Sequence, residues 1–220
     1  MPTIEKSNRA KIHTVYKLAS GERVPSVTTV LNILNKPALL EWAWKLGTEG
    51  IDYKAVRDIA GDVGSLAHYF ILCHLKGIEP DTTEYSKDVI DKAENCLIKF
   101  WDWEKMHKLE PILIETPQVS EKYHFGGTPD WYGILDGVAT LIDFKTGKAI
   151  YSEFLYQMAS YKMLLEENNA AVNNSRILRI GRDESEGFEE RVLGNLEKGW
   201  AIFLNCLNIY NLQREIKKEA

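Results

Sequence analysis

Paired cysteines are what this chain most clearly lacks. Its three cysteines, Cys73, Cys96 and Cys206, are scattered and odd in number, and no two form a C-x-x-C pair. That spacing argues against zinc and iron–sulfur sites and fits free thiols in a reducing compartment. Long apolar runs are also missing, so no segment is suited to span a bilayer. The opening Met-Pro-Thr-Ile-Glu-Lys has no apolar stretch of the kind a secretory leader carries. A cytoplasmic protein with no membrane partner is the expectation. No G-x-x-x-x-G-K-S/T loop occurs, which argues against a nucleotide-driven motor and against a phosphate cradle of that type. Repeats, low-complexity tracts and evident linkers are absent as well.

Positive charge is in mild deficit. Lys and Arg number 27 against 32 Asp and Glu, a formal net charge of −5. That weighs against nucleic-acid binding, because phosphate contacts need cations. It does not exclude it, since a metal site must itself be acidic and a local basic patch can coexist with a negative total. The 220 residues and 45% hydrophobic content suit one sizeable domain.

Periodicity orders that domain. Residues 1–108 read as mainly helical. An opening hairpin includes the alternating run Ile12–Leu18 and turns at Ala19-Ser-Gly-Glu. A helix starts at Pro25-Ser-Val, with Ser26 as cap and Val27, Val30, Leu31 and Leu34 as its stripe. Further helices are expected over Pro37–Leu46, Asp62–Leu75 and Ser86–His107, the last being the clearest amphipathic pattern. Residues 109–194 carry the catalytic sheet and a motif helix. Strands are predicted over Ile112–Val119, Phe125–Leu135 and Val138–Lys145, with Asp136-Gly137 as a hairpin turn. A helix follows over Glu153–Glu166, then strands over Arg176–Ile180 and Phe188–Leu193. Residues 195–220 form a closing helix. The fold class is α/β (α+β), a central mixed β-sheet flanked by helices with a helical N-terminal elaboration.

Two segments carry chemistry: Gly127-Thr-Pro-Asp-Trp-Tyr-Gly and Ile142-Asp-Phe-Lys-Thr-Gly. Strand alternation puts Asp143 and Lys145 on one face and turns Phe144 into the core. Carboxylates are natural ligands for a hard cation such as Mg²⁺, and an ammonium beside them meets developing negative charge. Two acids and a lysine in this order point to metal-dependent phosphodiester chemistry. Taken alone, Asp130 reads as a turn acid after Pro129. Asp143 resists that reading, because a charge inside Leu141-Ile-Asp-Phe-Lys is costly unless paired or metal-bound. The structural alternative is a simple surface pair with Lys145 on an edge strand.

Together, four motifs resemble the PD-(D/E)XK nuclease superfamily, and within it the RecB-type and phage exonuclease branch. They are Gly64-Ser-Leu-Ala-His68, Gly126-Gly-Thr-Pro-Asp130, Asp143-Phe-Lys145-Thr-Gly and Gln157-x-x-x-Tyr161. The resemblance implies a restriction-endonuclease-like core and a Mg²⁺- or Mn²⁺-dependent DNA exonuclease of phage or bacterial recombination and repair. It implies that His68, Asp130, Asp143 and the Phe144 carbonyl hold the ion, and that Lys145, Asp130 and Asp143 are catalytic. Gln157 and Tyr161 would orient the site and touch the DNA, and Glu115 would be a ligand or a support. Some relatives hold an iron–sulfur cluster on four cysteines; three ungrouped ones predict none here. A structure- or sequence-directed endonuclease of the same fold and a catalytically silent DNA-binding or assembly module are the rivals. DNA is the expected partner, with a homo-oligomer or a recombination partner protein left open.

Blander readings stand beside these. His68, next to Tyr69 and Phe70, fits an ordinary buried histidine, and Tyr161 fits core filling. His13, His74, His107 and His124 have no motif context. Trp42, Trp44, Trp101 and Trp103 read as packing. Lys36, Lys45, Lys122, Lys148 and Lys162 are candidates for a DNA track whose clustering sequence does not reveal.

Overall fold

A computed structural model describes residues 14–219. The hairpin is β1 (Tyr16–Lys17) and β2 (Arg23–Val24); residues 12 and 13 of the expected strand, and His13 with them, lie outside the described residues. Helices α1 (Val27–Leu31), α2 (Pro37–Thr48), α3 (Tyr53–Lys76) and α4 (Lys87–Glu104) follow. Then come β3 (Leu109–Ile114), β4 (Gln118–Ser120), β5 (Phe125–Gly127), β6 (Trp131–Leu135) and β7 (Val138–Thr146). Helix α5 (Ser152–Glu167), β8 (Asn174–Ile180), β9 (Phe188–Val192) and α6 (Glu197–Glu219) complete the order.

The central sheet has five strands in the order β3-β6-β7-β8-β9. All neighbours are antiparallel except β7 and β8. A parallel pair cannot be closed by a hairpin, and α5 supplies the crossover. Asp136 and Gly137 turn β6 into β7 with φ of 50° and 84°. Both values suit the two-residue hairpin expected there.

Each face of the sheet buries its own apolar layer. Leu141 and Ile177 pack with α1, α5 and α6, where Met158, Leu164 and Phe203 are buried. Ile142, Phe144, Leu178 and Ile180 pack with α3 and α4, against Leu66, Phe70, Cys96 and Phe100. The period-two alternation of β7 and β8 makes this division, and each large side chain buried contributes about 1.5–3 kcal/mol. All three cysteines are free and buried. No helix among the described residues is long and apolar enough to cross a membrane.

Four local expectations need correction. The strand predicted over Ile112–Val119 breaks between Ile114 and Gln118, because Glu115 adopts φ 43° and the chain leaves the central sheet. The strand predicted over Phe125–Leu135 breaks at residues 128–130; β5 pairs with β4 in a separate small sheet, while β6 joins the central one. Helix α3 begins nine residues earlier than expected, capped by the Asp52 carboxylate accepting from the Lys54 N–H. Finally, Trp44 is 70% exposed and Trp101 is at the surface too, so of the four tryptophans only Trp103 is buried and Trp42 partly so.

Candidate active site

The two strand breaks lie at the same end of the sheet. Ile114 pairs with Trp131, and Trp131 pairs with Ile142. One residue further along that register, Glu115, Asp130 and Asp143 come side by side. The Glu115 N–H donates to the Asp130 carbonyl at 3.0 Å, and the Phe144 N–H donates to the Asp130 carboxylate at 2.7 Å. Glu115 holds a left-handed backbone that a side chain with a Cβ rarely adopts. Such strain persists where the surroundings impose it, often at functional sites.

Glycines set the approach of the neighbouring elements. A Cβ at Gly126 would lie 2.4 Å from the Tyr16 ring, and one at Gly127 would lie 2.7 Å from the Tyr161 ring. The segment leading to Asp130 is therefore pressed between two tyrosines. The Tyr16 and Thr128 hydroxyls share a hydrogen bond of 2.8 Å. On α3, a Cβ at Gly64 would lie 2.9 Å from the Thr146 hydroxyl. The small residue lets α3 approach β7 and brings His68 to the sheet end.

There His68 Nδ1 lies 3.6 Å from an Asp130 carboxylate oxygen. His68, Glu115 and Asp130 each offer one ligand atom, all within 4.8 Å of one another. Asp143 does not join that trio. Its carboxylate is 1% exposed and ion-paired with Lys145, yet neither of its oxygens accepts a well-directed hydrogen bond. Lys145 in turn sits over the Phe154 ring at 5.0 Å, on the α5 side of the sheet, whereas Phe144 packs edge-on to Phe100 on the α3–α4 side. Strand alternation thus distributes Asp143, Phe144 and Lys145 as expected. Of the expected ligands, His68 and Asp130 lie in this cluster with Glu115, while Asp143 lies beside it, paired with Lys145. The bend after Ile114 aims Glu115 at Asp130, and Pro117, two residues on, is its local signal in the sequence.

Charge is crowded here. Burial raises the pKa of Asp143 to about 6, with Asp130 adding to the rise against the pull of Lys145. Burial and the Asp130 charge raise Glu115 likewise. Burial also works against charge on Asp130 and His68, but each favours ionisation of the other, so Asp130 is lowered and His68 raised. Two oxygen donors and one nitrogen donor, next to a buried carboxylate with open lone pairs, fit a small divalent cation, which would relieve the repulsion that raises Glu115 and Asp143.

Gln157 and Tyr161 sit one turn apart on α5, and the Gln157 amide donates to the Tyr161 hydroxyl at 2.8 Å. Tyr161 is buried in the α5–α6 layer, and burial raises its pKa well above the usual phenol value, with the charges of Asp143 and Asp130 adding to it. It faces the site's acids while also filling the core. His74 and His107 are paired elsewhere, with Glu104 and Asp136, each at 2.6 Å.

No protein-family model matches the sequence, and no curated protein matches it. Solved structures do. A protein described as a putative exonuclease from Eubacterium rectale superposes with a TM-score of 0.53 at 10% identity, covering 72% of this chain and 69% of that one. An alkaline exonuclease from Laribacter hongkongensis, solved in complex with dAMP, matches at 15% identity over 74% of this chain and 92% of its own, with a TM-score of 0.36. The Eubacterium rectale likeness, together with the five-stranded mixed sheet between helical layers, shows that this chain has a restriction-endonuclease-like fold.

Proposed function

We propose that the protein is a divalent-metal-dependent nuclease that hydrolyses DNA phosphodiester bonds from strand ends. The observation that carries this reading is the His68–Glu115–Asp130 cluster beside the buried Asp143–Lys145 pair, at the open end of a restriction-endonuclease-like sheet. We read residues 1–220 as a single nuclease domain, with 1–108 flanking, 109–194 catalytic and 195–220 closing it.

His68, Glu115 and Asp130 would hold Mg²⁺ or Mn²⁺, with Asp143 and the Phe144 carbonyl as further ligands on the same ion or a second one. When bound, the cation lowers the pKa of its water and withdraws charge from a phosphate oxygen. Asp143, at the edge of the cluster, would share its charge between Lys145 and such an ion. The Lys145 ammonium would orient the attacking water and meet charge developing on the phosphate. Gln157, through Tyr161, fixes the α5 wall of the site. The fit of the trio to a hard cation supports the metal, and the motif resemblance supports exonuclease action and a role in phage or bacterial recombination and repair. An iron–sulfur cluster has no ligand set in this proposal.

The test is cleavage of linear DNA by purified protein with Mn²⁺, Mg²⁺ or chelator. Mononucleotide release from linear DNA, with covalently closed circles untouched, is the expected outcome. Cutting of closed circles would favour the endonuclease rival. No metal-stimulated cleavage of either, in protein that also binds no Mn²⁺ by calorimetry, would leave the silent-module reading.

A further inference from the structure

The five lysines that the sequence offered as a substrate track are dispersed in the fold. Lys36 pairs with Glu153 at 3.1 Å, Lys162 is held by Glu166 and the Val172 carbonyl, and Lys122 lies over the Tyr123 ring. Lys148, three residues past Lys145, has no ion-pair or hydrogen-bond partner among the described residues and lines a groove of about 240 Å³. Val56, Ile59, Ala60 and Val63 of α3 form the groove's apolar wall, and Lys92 and Arg182 complete a cationic rim with Lys148.

We propose that this groove holds the nucleotide next to the scissile bond of a single DNA strand, an inference that rests on the nuclease reading above. Position is the first argument. Val63 lines the groove, and the next residue, Gly64, packs on Thr146. His68 stands one helical turn further on. The groove and the candidate metal cluster thus lie along the same helix, the groove toward its N-terminal end.

Charge is the second argument. Glu115 follows β3, Asp130 precedes β6 and Asp143 lies within β7, whereas Lys148 and Arg182 follow β7 and β8. Acids at β3, β6 and β7 thus give way to cations past the ends of β7 and β8. A phosphodiester chain with one phosphate at the acidic cluster would place its neighbour on the cationic side. The acids of the groove are already engaged. Arg182 donates twice to the Glu186 carboxylate, at 2.6 and 3.0 Å, and Asp183 accepts from the N–H and hydroxyl of Ser185. Lys92 pairs with Asp88, which leaves Lys148 as the uncommitted cation of the rim.

The third argument is the wall itself. Ile59 is 47% exposed although the groove shelters it, so apolar surface is presented to whatever enters. An unpaired base or its sugar offers a matching face, whereas a duplex keeps its bases stacked inside. A groove of about 240 Å³ has room for a base and its sugar.

The experiment measures binding and chemistry separately. Fluorescence anisotropy of labelled oligothymidylate and of a blunt duplex is followed in metal-free buffer, for wild type, Lys148→Glu and Ile59→Ser. Turnover of bis(p-nitrophenyl) phosphate, a chromogenic ester that carries no nucleoside, is followed with Mn²⁺. Lys148→Glu is expected to weaken oligothymidylate binding about tenfold and to reduce the salt slope by about one. Ile59→Ser is expected to weaken it about threefold, through lost contact with the base. Both should turn over the chromogenic ester like wild type. Unchanged oligothymidylate affinity in both variants would overturn the proposal. Weakened duplex binding alone would overturn the single-strand assignment. An equal loss on the chromogenic ester would place Lys148 in the chemistry instead of the groove. Should wild type cleave neither substrate, the nuclease reading falls, while the anisotropy series still decides the groove.

Discussion

Asp143 and Arg179 are buried charges on neighbouring parallel strands, and they are treated in opposite ways. Arg179, 8% exposed, donates to the Glu189 carboxylate at 3.3 Å and to the Gly147 and Glu186 carbonyls at 3.2 and 2.7 Å. It ties the loop after β7 to the turn before β9. Asp143, more deeply buried, has an ion pair with Lys145 and no well-directed hydrogen bond. A buried charge that serves structure has its hydrogen bonds filled, because an unfilled one costs stability. One that keeps lone pairs open is placed for a ligand that arrives later. The difference separates the scaffold from the site more sharply than burial or charge does.

The largest expected effect breaks the functional half of the comparison. Asp143→Ala, Asp130→Ala or Lys145→Ala should each lower Mn²⁺-dependent cleavage of linear DNA by about a hundredfold or more. Full activity in any of them would remove that residue from the site. The structural half responds in the other currency. Arg179→Ala takes the donor away from the Gly147 and Glu186 carbonyls, while Glu189 keeps Arg191, and should cost about 2 kcal/mol in urea unfolding. It should leave Mn²⁺ affinity intact.

Acidity sharpens the contrast further. The folded pKa of Asp143, about 6, lies above its ordinary 3.8. Folding therefore favours the protonated form. Its contribution is fully present below about pH 4 and is lost as pH rises through 6, a loss of about 3 kcal/mol by pH 7. In metal-free protein, Asp143→Asn should flatten that part of the pH–stability curve, as read from chemical unfolding at pH 4.5 and 7. A variant whose slope equals that of wild type would show that Asp143 is ionised at little cost. Smaller still is the effect expected at Glu115. Glu115→Gln should weaken Mn²⁺ binding about tenfold by calorimetry while keeping the fold.

Much of this was legible beforehand. The apolar stripes of α4 and α5 and the alternation of β7 are local patterns, and they fixed the layers and the faces of Asp143, Phe144 and Lys145. Four motifs in order brought His68, Asp130 and the Gln157–Tyr161 pair to one end of the sheet. Less legible were features decided by distant partners. The chain breaks after Ile114 and after Gly127, where Pro117 and Pro129 interrupt the runs, and β4 and β5 find each other outside the central sheet. Glu115 becomes the equal of Asp130 only through that bend. The first turns of α3 carry a short apolar stripe, Val56, Ile59, Ala60 and Val63, but most of it is exposed, unlike the buried stripe that continues from Val63. Lys148 was one of five lysines alike in sequence; its place beside the α3 wall and Arg182 is what singles it out.

The most direct test of the site is the anomalous density of Mn²⁺ in a soaked crystal. The expected result is one peak at roughly 2.0–2.4 Å from a His68 ring nitrogen and from carboxylate oxygens of Glu115 and Asp130, with the Asp143 carboxylate turned away from Lys145 toward it. A protein that cleaves DNA with no peak at these residues, and with Asp143 and Lys145 still paired, would contradict it.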